Sequence, residues 1–492
     1  MTASYGYLLA FAAAMGGLLF GYEIGVVSQV LDMPGFRLYF GMADRLADGS
    51  LEAIKSADET MRSLTTFSFL AGCFAGAWIV AYLADLFGRK RSILLGGGIF
   101  LIGAALQAFT WETTVYFAGR ALAGVGVGIL SMCSPLYISE AAPTEIRGRL
   151  VTVQQLMITL GICVAASINS ILITTLQHTD IDLEWRLAMG MQCVPALLLV
   201  LTMSVVPESP RWLAAKGRDG ESLAVIARLR ASTPDDLDAV AAFDAIKADI
   251  VHEKAASWTE LLAPGVRNRL GIVLGLQFWQ QMTGINMILY YQGALITAMG
   301  FDPAAAAIPF TLANDVMNFV STFPGMYLIE RMGRRRLLFL GGIGMAVAHF
   351  LVFLFVGVSQ TQATPSLAWG AIASVYLFFF FFASTWGPVV WAYQSEVFPQ
   401  QVRAKGTGAG AMANWAANAL IGLVTPFISG AIGYRMYLIF AAAGLGMSAF
   451  TYCFVPETMG KTLEQMDDVF GTPKFSKTAA PGPVVELEHV VA

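Results

Sequence analysis

Long apolar stretches separated by short polar or charged segments dominate this chain. A helix needs about 20 apolar residues to cross a bilayer. The pattern therefore predicts twelve membrane-spanning helices, at 5–31, 64–84, 93–110, 115–138, 150–176, 185–206, 269–298, 306–329, 336–358, 368–394, 406–433 and 434–455. A polar segment separates the sixth helix from the seventh, and a tail rich in Pro, Ala, Val and acidic residues follows the twelfth.

A short charged turn occurs twice, half a chain apart. Residues 83–97 read LADLFGRKRSILLGG, and residues 328–342 read LIERMGRRRLLFLGG. A second pair, YISEAAPTEIRGR at 137–149 and YQSEVFPQQVRAK at 393–405, has nearly the same offset. Ordered repeats at the ends of apolar stretches indicate two similar membrane halves, which is the plan of many transporters.

The expected fold is an all-α integral membrane protein with two six-helix bundles. We place the N-terminal bundle at 1–206, a cytoplasmic helical linker at 207–268, the C-terminal bundle at 269–455 and a cytoplasmic tail at 456–492. In the linker, the stretch DLDAVAAFDAIKADIVHE has apolar residues at helical spacing, beginning with Leu237, which predicts an amphipathic helix.

Composition agrees with a membrane protein and narrows the chemistry. Hydrophobic residues are 56% of the chain and charged residues 13%, against roughly 25% charged residues in a soluble domain. The net charge of −4 gives no reason to expect nucleic-acid binding. The five cysteines lie in apolar stretches without metal-ligand spacing. No metal-ligand cluster, nucleophile–base pair or phosphate loop is evident, so we expect no metal, no cofactor and no enzyme activity.

Charge sets the expected orientation. Of the 30 Lys and Arg residues, 23 fall in the loops and tail on one side of the predicted bundles. Basic residues in short loops mark the cytoplasmic surface. We therefore expect both termini and the linker to be cytoplasmic, in a protein of the plasma membrane.

Several motifs in order resemble the sugar porter family of the major facilitator superfamily, in its proton-coupled branch. They include GGLLFGYEIGVVS (16–28), GRALAGVGVG (119–128), PESPRWL (207–213), QQMTGINMILYY (280–291) and PETMGKTLEQMD (456–467). The resemblance covers about residues 8–470. It implies a hexose transporter, functional as a monomer, in which two bundles move by alternating access around a central monosaccharide site.

A sugar site needs amides that both donate and accept hydrogen bonds, together with aromatic rings for the apolar sugar face. Gln281 and Asn286 would not share a face of a straight helix, but Gly284 between them permits a break. Asn414 and Asn418 are four residues apart and share one face. By resemblance, eight residues fall on the family's sugar-contacting positions: Gln155, Gln280, Gln281, Asn286, Asn318, Trp391, Asn414 and Asn418. Such amides could also simply join helices.

The charged turns resemble the family's cytoplasmic salt-bridge network, which holds the outward-open state. The residues concerned are Asp85, Arg89, Glu140, Arg147, Glu330, Arg334, Glu396 and Arg403. The alternative is that the basic residues only set topology. That reading leaves Glu140 and Glu396 unexplained, because acidic residues contribute little to the orientation of a membrane protein.

Glu23 lies inside the first predicted span, where a carboxylate must pair with a cation or take up a proton. Arg120 is the basic residue well inside the N-terminal bundle. Proton symporters of the family have an Asp paired with an Arg at these positions, which implies proton coupling through Glu23 and Arg120. A permanent pair that only braces the bundle is the alternative.

Other functions stay open. A facilitative sugar or polyol uniporter and a sugar sensor would both fit the same fold. Where facilitative glucose transporters have a sugar-contacting Glu, this chain has Ala383, which leaves the sugar preference open. Asp315 matches no family motif and could bind a sugar hydroxyl, bind a proton or face a watery vestibule. We expect His349 to pack rather than to relay protons.

Overall fold

The structure is a computed structural model that describes residues 2–46, 51–142, 147–176, 179–250, 257–290, 303–362, 364–461 and 466–470. Its first half consists of α1 (Thr2–Val30), α2 (Pro34–Tyr39), α3 (Lys55–Leu86), α4 (Arg89–Ala108), α5 (Thr113–Ala141), α6 (Arg147–Leu176), α7 (Ile181–Gly190) and α8 (Cys193–Val205). Between α2 and α3, two short antiparallel strands, β1 (Ala43–Arg45) and β2 (Leu51–Ala53), pair Asp44 with Glu52.

The polar segment between the halves is helical. It forms α9 (Pro210–Ala215), α10 (Asp219–Arg230), α11 (Leu237–Ile250) and a 3₁₀ turn (Trp258–Leu262). A small core of Ala214, Ile226 and Ile246 joins these helices. Leu237 was expected on the apolar face, but its side chain is 84% exposed because it begins α11 beyond this core.

The second half begins with α12 (Arg267–Gln281) and α13 (Ile285–Tyr290). It continues with α14 (Pro303–Val320), α15 (Thr322–Met332), α16 (Arg334–Ser359), α17 (Pro365–Phe381), a π-helical turn (Phe382–Trp386), α18 (Gly387–Val397), α19 (Gln400–Ile432), a 3₁₀ turn (Gly433–Arg435), α20 (Met436–Phe454) and α21 (Met466–Val469). The predicted tail lies mostly outside the described residues, since 471–492 are not among them.

Within the described residues, nine helical stretches are long and apolar enough to cross a membrane. They are Tyr5–Val30, Ser56–Leu86, Arg89–Ala108, Thr113–Ala141, Arg147–Leu176, Ile181–Val205, Arg334–Ser359, Pro365–Val397 and Gln401–Phe454. The last contains two of the predicted spans. Another predicted span, 269–298, extends into residues outside the description, and the predicted span 306–329 is divided between α14 and α15. The count of twelve and the domain boundaries stay predictions.

The repeated charged turns have the same local structure. Gly88 ends α3 and precedes α4 with φ of 99°, and Gly333 separates α15 from α16 with φ of 83°. Only glycine adopts such angles readily. A methyl group added at either position would also collide with a nearby carboxylate, that of Glu208 or Glu457. The repeat therefore encodes a sharp helix–helix turn with an acidic side chain against it.

The two halves meet along the helices that surround the centre of the molecule. In the first half, α1 packs on α6, while α3 and α4 pack on α5. In the second half, α16 packs on α17 and α20. Between the halves, α6 packs on α14 and α15, and α3 packs on α19. These contacts place a cavity between the two bundles.

Candidate functional site

The cavity between the halves brings together all eight residues expected at a sugar site. It encloses about 60 Å³. The second half contributes most of its polar groups, and α1 and α6 supply Phe20, Ile24, Ile158 and Ile162 as an apolar wall. The eight expected residues lining it are Gln155, Gln280, Gln281, Asn286, Asn318, Trp391, Asn414 and Asn418. Amides opposite apolar and aromatic side chains suit a ligand with hydroxyl groups and an apolar face.

A chain of amide hydrogen bonds fixes part of this lining. Asn414 Nδ2 donates to Gln280 Oε1 and to Gln277 Oε1, each at 2.7 Å. Gln280 Nε2 donates to the carbonyl oxygen of Trp386 at 2.8 Å. Gln277 Nε2 donates to Gln394 Oε1 at 2.6 Å. The network ties α12 to α19 and to the π-helical turn, so Gln280 and Asn414 are held rigidly.

Other amides at the cavity keep free acceptors. Asn318 Oδ1 and Asn418 Oδ1 are buried and accept no hydrogen bond from the described protein groups. A buried polar atom without a partner is costly, so such atoms usually meet a ligand or water. Asn286 donates to Gln281 across the break in the chain. The cavity therefore combines preorganised amides with acceptors that a ligand hydroxyl can satisfy.

The break expected at Gly284 is present. α12 ends at Gln281 and α13 begins at Ile285, with Gly284 at φ of 83°. His349 Nε2 lies 2.8 Å from the carbonyl oxygen of Thr283, a group that the break removes from regular helical bonding. The His349 ring packs against Phe378, Tyr437 and Phe440. His349 therefore packs, as expected, and it also holds the break.

Glu23 and Arg120 form a buried ion pair beside the cavity. Their residues are 1% and 2% exposed, and the Arg120 guanidinium bonds one carboxylate oxygen of Glu23. Arg120 Nε also donates to the Thr65 carbonyl oxygen at 3.2 Å, and its guanidinium lies 4.7 Å from the centre of the Phe69 ring. The other Glu23 oxygen accepts no hydrogen bond from the part of the chain that the structure describes. Arg120 thus keeps partners that do not depend on the charge of Glu23.

The first charged cluster joins the ends of α3, α4 and α5. Arg89 Nη2 donates to Glu140 Oε1 at 2.9 Å, and Arg89 Nη1 to Asp85 Oδ1 at 3.2 Å. Ser209 Oγ donates to the second Glu140 oxygen at 2.5 Å. Arg147 Nε donates to the Ser139 carbonyl oxygen at 3.1 Å and makes further contacts.

The second cluster repeats this arrangement in the other half. Arg334 Nη2 donates to Glu396 Oε1 at 2.9 Å, and Arg334 Nη1 lies 3.4 Å from Glu330 Oε2. Thr458 Oγ1 donates to the second Glu396 oxygen at 3.2 Å. Arg403 Nε donates to the Phe398 carbonyl oxygen at 3.1 Å and also makes further contacts.

Contacts of Glu330 and of Lys405 join the clusters across the halves. Glu330 Oε1 accepts from the backbone amide of Arg149, in α6, at 3.0 Å. Lys405 Nζ, in α19, lies 3.6 Å from Asp85 Oδ2. Both contacts must break if the halves separate on this side, whereas the ion pairs within each half need not.

Comparison with known proteins identifies the chain. A family model described as "Sugar (and other) transporter" matches residues 9–470. The chain belongs to this sugar transporter family. It is 35% identical over 476 residues to the "Probable glucose transporter rco-3" of Neurospora crassa, covering 93% of this chain and 78% of the relative. It is also 35% identical over 471 residues to the "Low-affinity glucose transporter HXT3" of Saccharomyces cerevisiae, covering 93% and 80%.

A solved structure shows the same architecture. The proton:xylose symporter XylE, bound to 6-bromo-6-deoxy-D-glucose, aligns with a TM-score of 0.82 and 27% identity, covering 96% of this chain and 100% of that one. The transporter therefore has the major facilitator fold and is a multi-pass integral membrane protein that transports sugar. This function is transport rather than an enzymatic reaction.

Two acidic residues outside the predicted clusters cap the helices that follow the charged turns. Glu208 Oε1 accepts from the backbone amides of Arg89 and Lys90, at 2.9 and 3.0 Å, and caps α4. Glu457 caps α16 in the same way through Arg334 and Arg335, at 2.9 and 3.1 Å. Burial raises the pKa of the Glu208 carboxyl, and the amides and Arg89 oppose that shift. The repeated Pro-Glu pair, 207–208 and 456–457, is the sequence signal that could have found them.

Proposed function

We propose that this transporter is a monosaccharide–proton symporter that works by alternating access. The sugar is a hexose such as glucose, or xylose, and it binds in the cavity lined by the eight residues named above. The named relatives are glucose transporters, and the solved neighbour is a proton:xylose symporter. The proton binds to Glu23. The transporter acts as a monomer in the plasma membrane, with both termini cytoplasmic.

The buried Glu23–Arg120 pair is the observation that carries the proton part of the proposal. Protonation of Glu23 removes the charge that attracts Arg120, but Arg120 keeps the Thr65 carbonyl and the Phe69 ring as partners. The neutral state therefore leaves no bare cation in the membrane, which would be costly. Glu23 can therefore become neutral while Arg120 keeps other partners, which suits Glu23 to bind and release a proton.

The position of Glu23 supports coupling to the sugar. Phe20 and Ile24, one turn before it and next to it in α1, line the cavity. The Phe20 ring also packs edge-on against Trp415 of the other half, with 5.0 Å between ring centres. A change in the charge of Glu23 therefore acts on the helix that closes one wall of the sugar site. Sugar binding in turn favours one state of the pair, because such coupling is reciprocal.

The charged clusters supply the cytoplasmic closure in this proposal. The Arg149–Glu330 and Lys405–Asp85 contacts hold the two halves together in the state with the cytoplasmic side closed. Opening toward the cytoplasm breaks them and exposes the sugar site on that side. The ion pairs of Arg89 with Glu140 and of Arg334 with Glu396 keep the participating helix ends in place.

Sugar-induced alkalinisation of a weakly buffered medium tests the proposal. Cells that express the transporter should take up protons when a hexose or xylose is added, and Glu23→Gln should abolish this signal. Sugar uptake without proton uptake would leave facilitated uniport, with the Glu23–Arg120 pair as a brace. A panel of labelled hexoses and pentoses, with and without a protonophore, identifies the preferred sugar in the same cells.

A further inference from the structure

Asp315 is a buried acid that neither the sugar cavity nor the Glu23–Arg120 pair uses. It lies in α14, is 2% exposed, and its Oδ1 accepts no hydrogen bond from the described residues. In the described part of the chain, no Lys, Arg or His forms an ion pair with it. An ionised carboxylate in such a place is strongly disfavoured and takes up a proton instead. Burial without a cationic partner therefore favours the neutral, protonated form of the Asp315 carboxyl group in this conformation.

The contacts between α6 and the α14–α15 pair fix the level of Asp315 in the membrane. Helix α6 runs antiparallel to the α14–α15 pair. Near the charged clusters, the Arg149 amide meets Glu330 at 3.0 Å. Further along, Thr159 Oγ1 and Thr322 Oγ1 are 3.2 Å apart. Asp315 precedes Thr322 by seven residues, or two turns, so it lies on the same face toward α6, two turns farther from the charged clusters.

This order places Asp315 at the edge of the sugar cavity farther from the charged clusters. Ile162 of α6 still lines the cavity there. It is fifteen residues after Arg147, the start of α6, which corresponds to roughly 22 Å along a helix. Asn318, which lines the cavity, is one turn nearer to the clusters than Asp315. Asp315 is therefore part of the contact between the halves that closes the non-cytoplasmic side, here called the outer gate.

Among the residues that the structure describes, few groups other than Asp315 can titrate near it. α14 packs on α6, α15 and α17. On α6 the titratable side chain at this level is Cys163, and on α17 it is Tyr376. On α15 the nearest is Tyr327, and Glu330 and Arg331 lie at the far end, by the charged clusters. α14 itself has no other ionisable residue. The charge of Asp315 is thus the main electrostatic variable at the outer gate.

We propose that Asp315 is a second proton-binding site, which takes a proton from the non-cytoplasmic solution when the outer gate closes and returns it there when the gate opens. The carboxylate gains one proton to become a neutral carboxylic acid, and the same proton leaves on opening. No net charge crosses the membrane through this site. The inference rests on the alternating access proposed above, but it does not depend on proton transport through Glu23.

The direction of the effect follows from the burial. The closed gate holds the neutral acid, and the open gate lets water solvate the carboxylate. Raising the pH therefore favours the open gate, by up to about tenfold in the open-to-closed ratio per pH unit over the range in which Asp315 titrates. An amide at position 315 is neutral at every pH and removes this dependence.

Distance measurements between spin labels at the outer ends of α6 and α19 test the proposal. Labels at Ile171 and Phe427, which are 60% and 73% exposed, report opening of the outer gate in nanodiscs between pH 5 and 9. The background has its five cysteines replaced by Ala and includes Glu23→Gln, so that Glu23 does not contribute. Asp315→Asn and Asp315→Glu are compared with this parent. Asp182→Asn, an exposed acid on the same side of the membrane, is the matched control.

The expected result is that the open fraction of the parent, of Asp315→Glu and of Asp182→Asn rises with pH. In Asp315→Asn the gate stays mostly closed at all pH values. An Asp315→Asn curve that follows the parent, or a parent without pH dependence, overturns the inference. The proposed function fails separately, if the unsubstituted transporter in proteoliposomes accumulates no sugar when a proton gradient is applied.

Discussion

The ring nitrogen Nε2 of His349, in α16, lies 2.8 Å from the carbonyl oxygen of Thr283, which is between the end of α12 and the start of α13. Gln281 and Asn286, on either side of this break, both line the cavity that we propose binds sugar. The hydrogen bond therefore fixes the backbone from which two cavity-lining residues project, although His349 does not reach the cavity lining itself.

His349→Ala is expected to weaken both sugar binding and the fold. It leaves the buried Thr283 carbonyl unsatisfied, at a cost of about 1–3 kcal/mol, and opens a void among three aromatic rings. His349→Gln keeps a donor and is the matched control. Sugar affinity and thermal unfolding in detergent check this. Equal affinities for the Ala and Gln variants would show that the hydrogen bond does not position the site.

Asn414→Ala and Asn418→Ala should differ in a diagnostic way. Asn414 bonds Gln277 and Gln280, so its loss removes two protein hydrogen bonds and lowers both stability and sugar affinity. Asn418 Oδ1 has no described protein partner. Its loss should therefore reduce sugar affinity by about tenfold, the value of one hydrogen bond, with little change in the melting temperature.

Ligand-binding titrations and melting curves on the purified variants measure both quantities. If Asn418→Ala binds sugar as tightly as the unsubstituted transporter, Asn418 does not contact the sugar. If it melts as early as Asn414→Ala, its role is to hold helices together.

Glu396→Gln should shift the transporter toward its inward-open state. The substitution keeps the side-chain shape but removes the charge that pairs with Arg334 at 2.9 Å. Arg334 also contacts Glu330, which accepts from the Arg149 amide across the halves, so a loosened Arg334 weakens that contact. Ala81 is buried where α3 meets Gly408 of α19, close to the charged clusters. A cysteine placed at Ala81, in a background without native cysteines, should react faster with a thiol reagent once the halves separate there.

Glu221→Gln is the control for this experiment, because Glu221 forms an exposed pair with Arg218 in the linker. Exposed pairs contribute little, so its labelling rate should match that of the parent. Slow labelling in Glu396→Gln as well would refute the role of the charged clusters in closing the cytoplasmic side.

Much of the site was predictable because polar residues in apolar stretches are conspicuous. Gln280, Asn286 and Asn318 stand out in the sequence for this reason, and Gly284 marks the break. The same reasoning and the family motifs predicted the pairing of Glu23 with Arg120, which the structure contains. The repeated charged turns predict two similar halves from the sequence alone.

The remaining features depend on contacts between distant segments. Gln277 and Gln394 are as polar as the predicted residues. Only the packing of α12 on α18 and α19 shows that Gln277 accepts from the cavity-lining Asn414 and donates to Gln394. His349 meets a carbonyl 66 residues away, which no local pattern encodes. Glu208 belongs to a repeat visible in the sequence, yet its role as a helix cap requires the folded turn.

Accumulation of labelled sugar in proteoliposomes under an imposed proton gradient tests the central claim most directly. The external solution is made acidic relative to the lumen, and the membrane potential is set to zero. The unsubstituted transporter should concentrate its sugar several-fold and lose the gain when a protonophore is added. Glu23→Gln should only equilibrate the sugar, because it binds no proton to couple. Uptake by the unsubstituted transporter that stops at equal concentrations, with or without the gradient, would contradict proton coupling through Glu23.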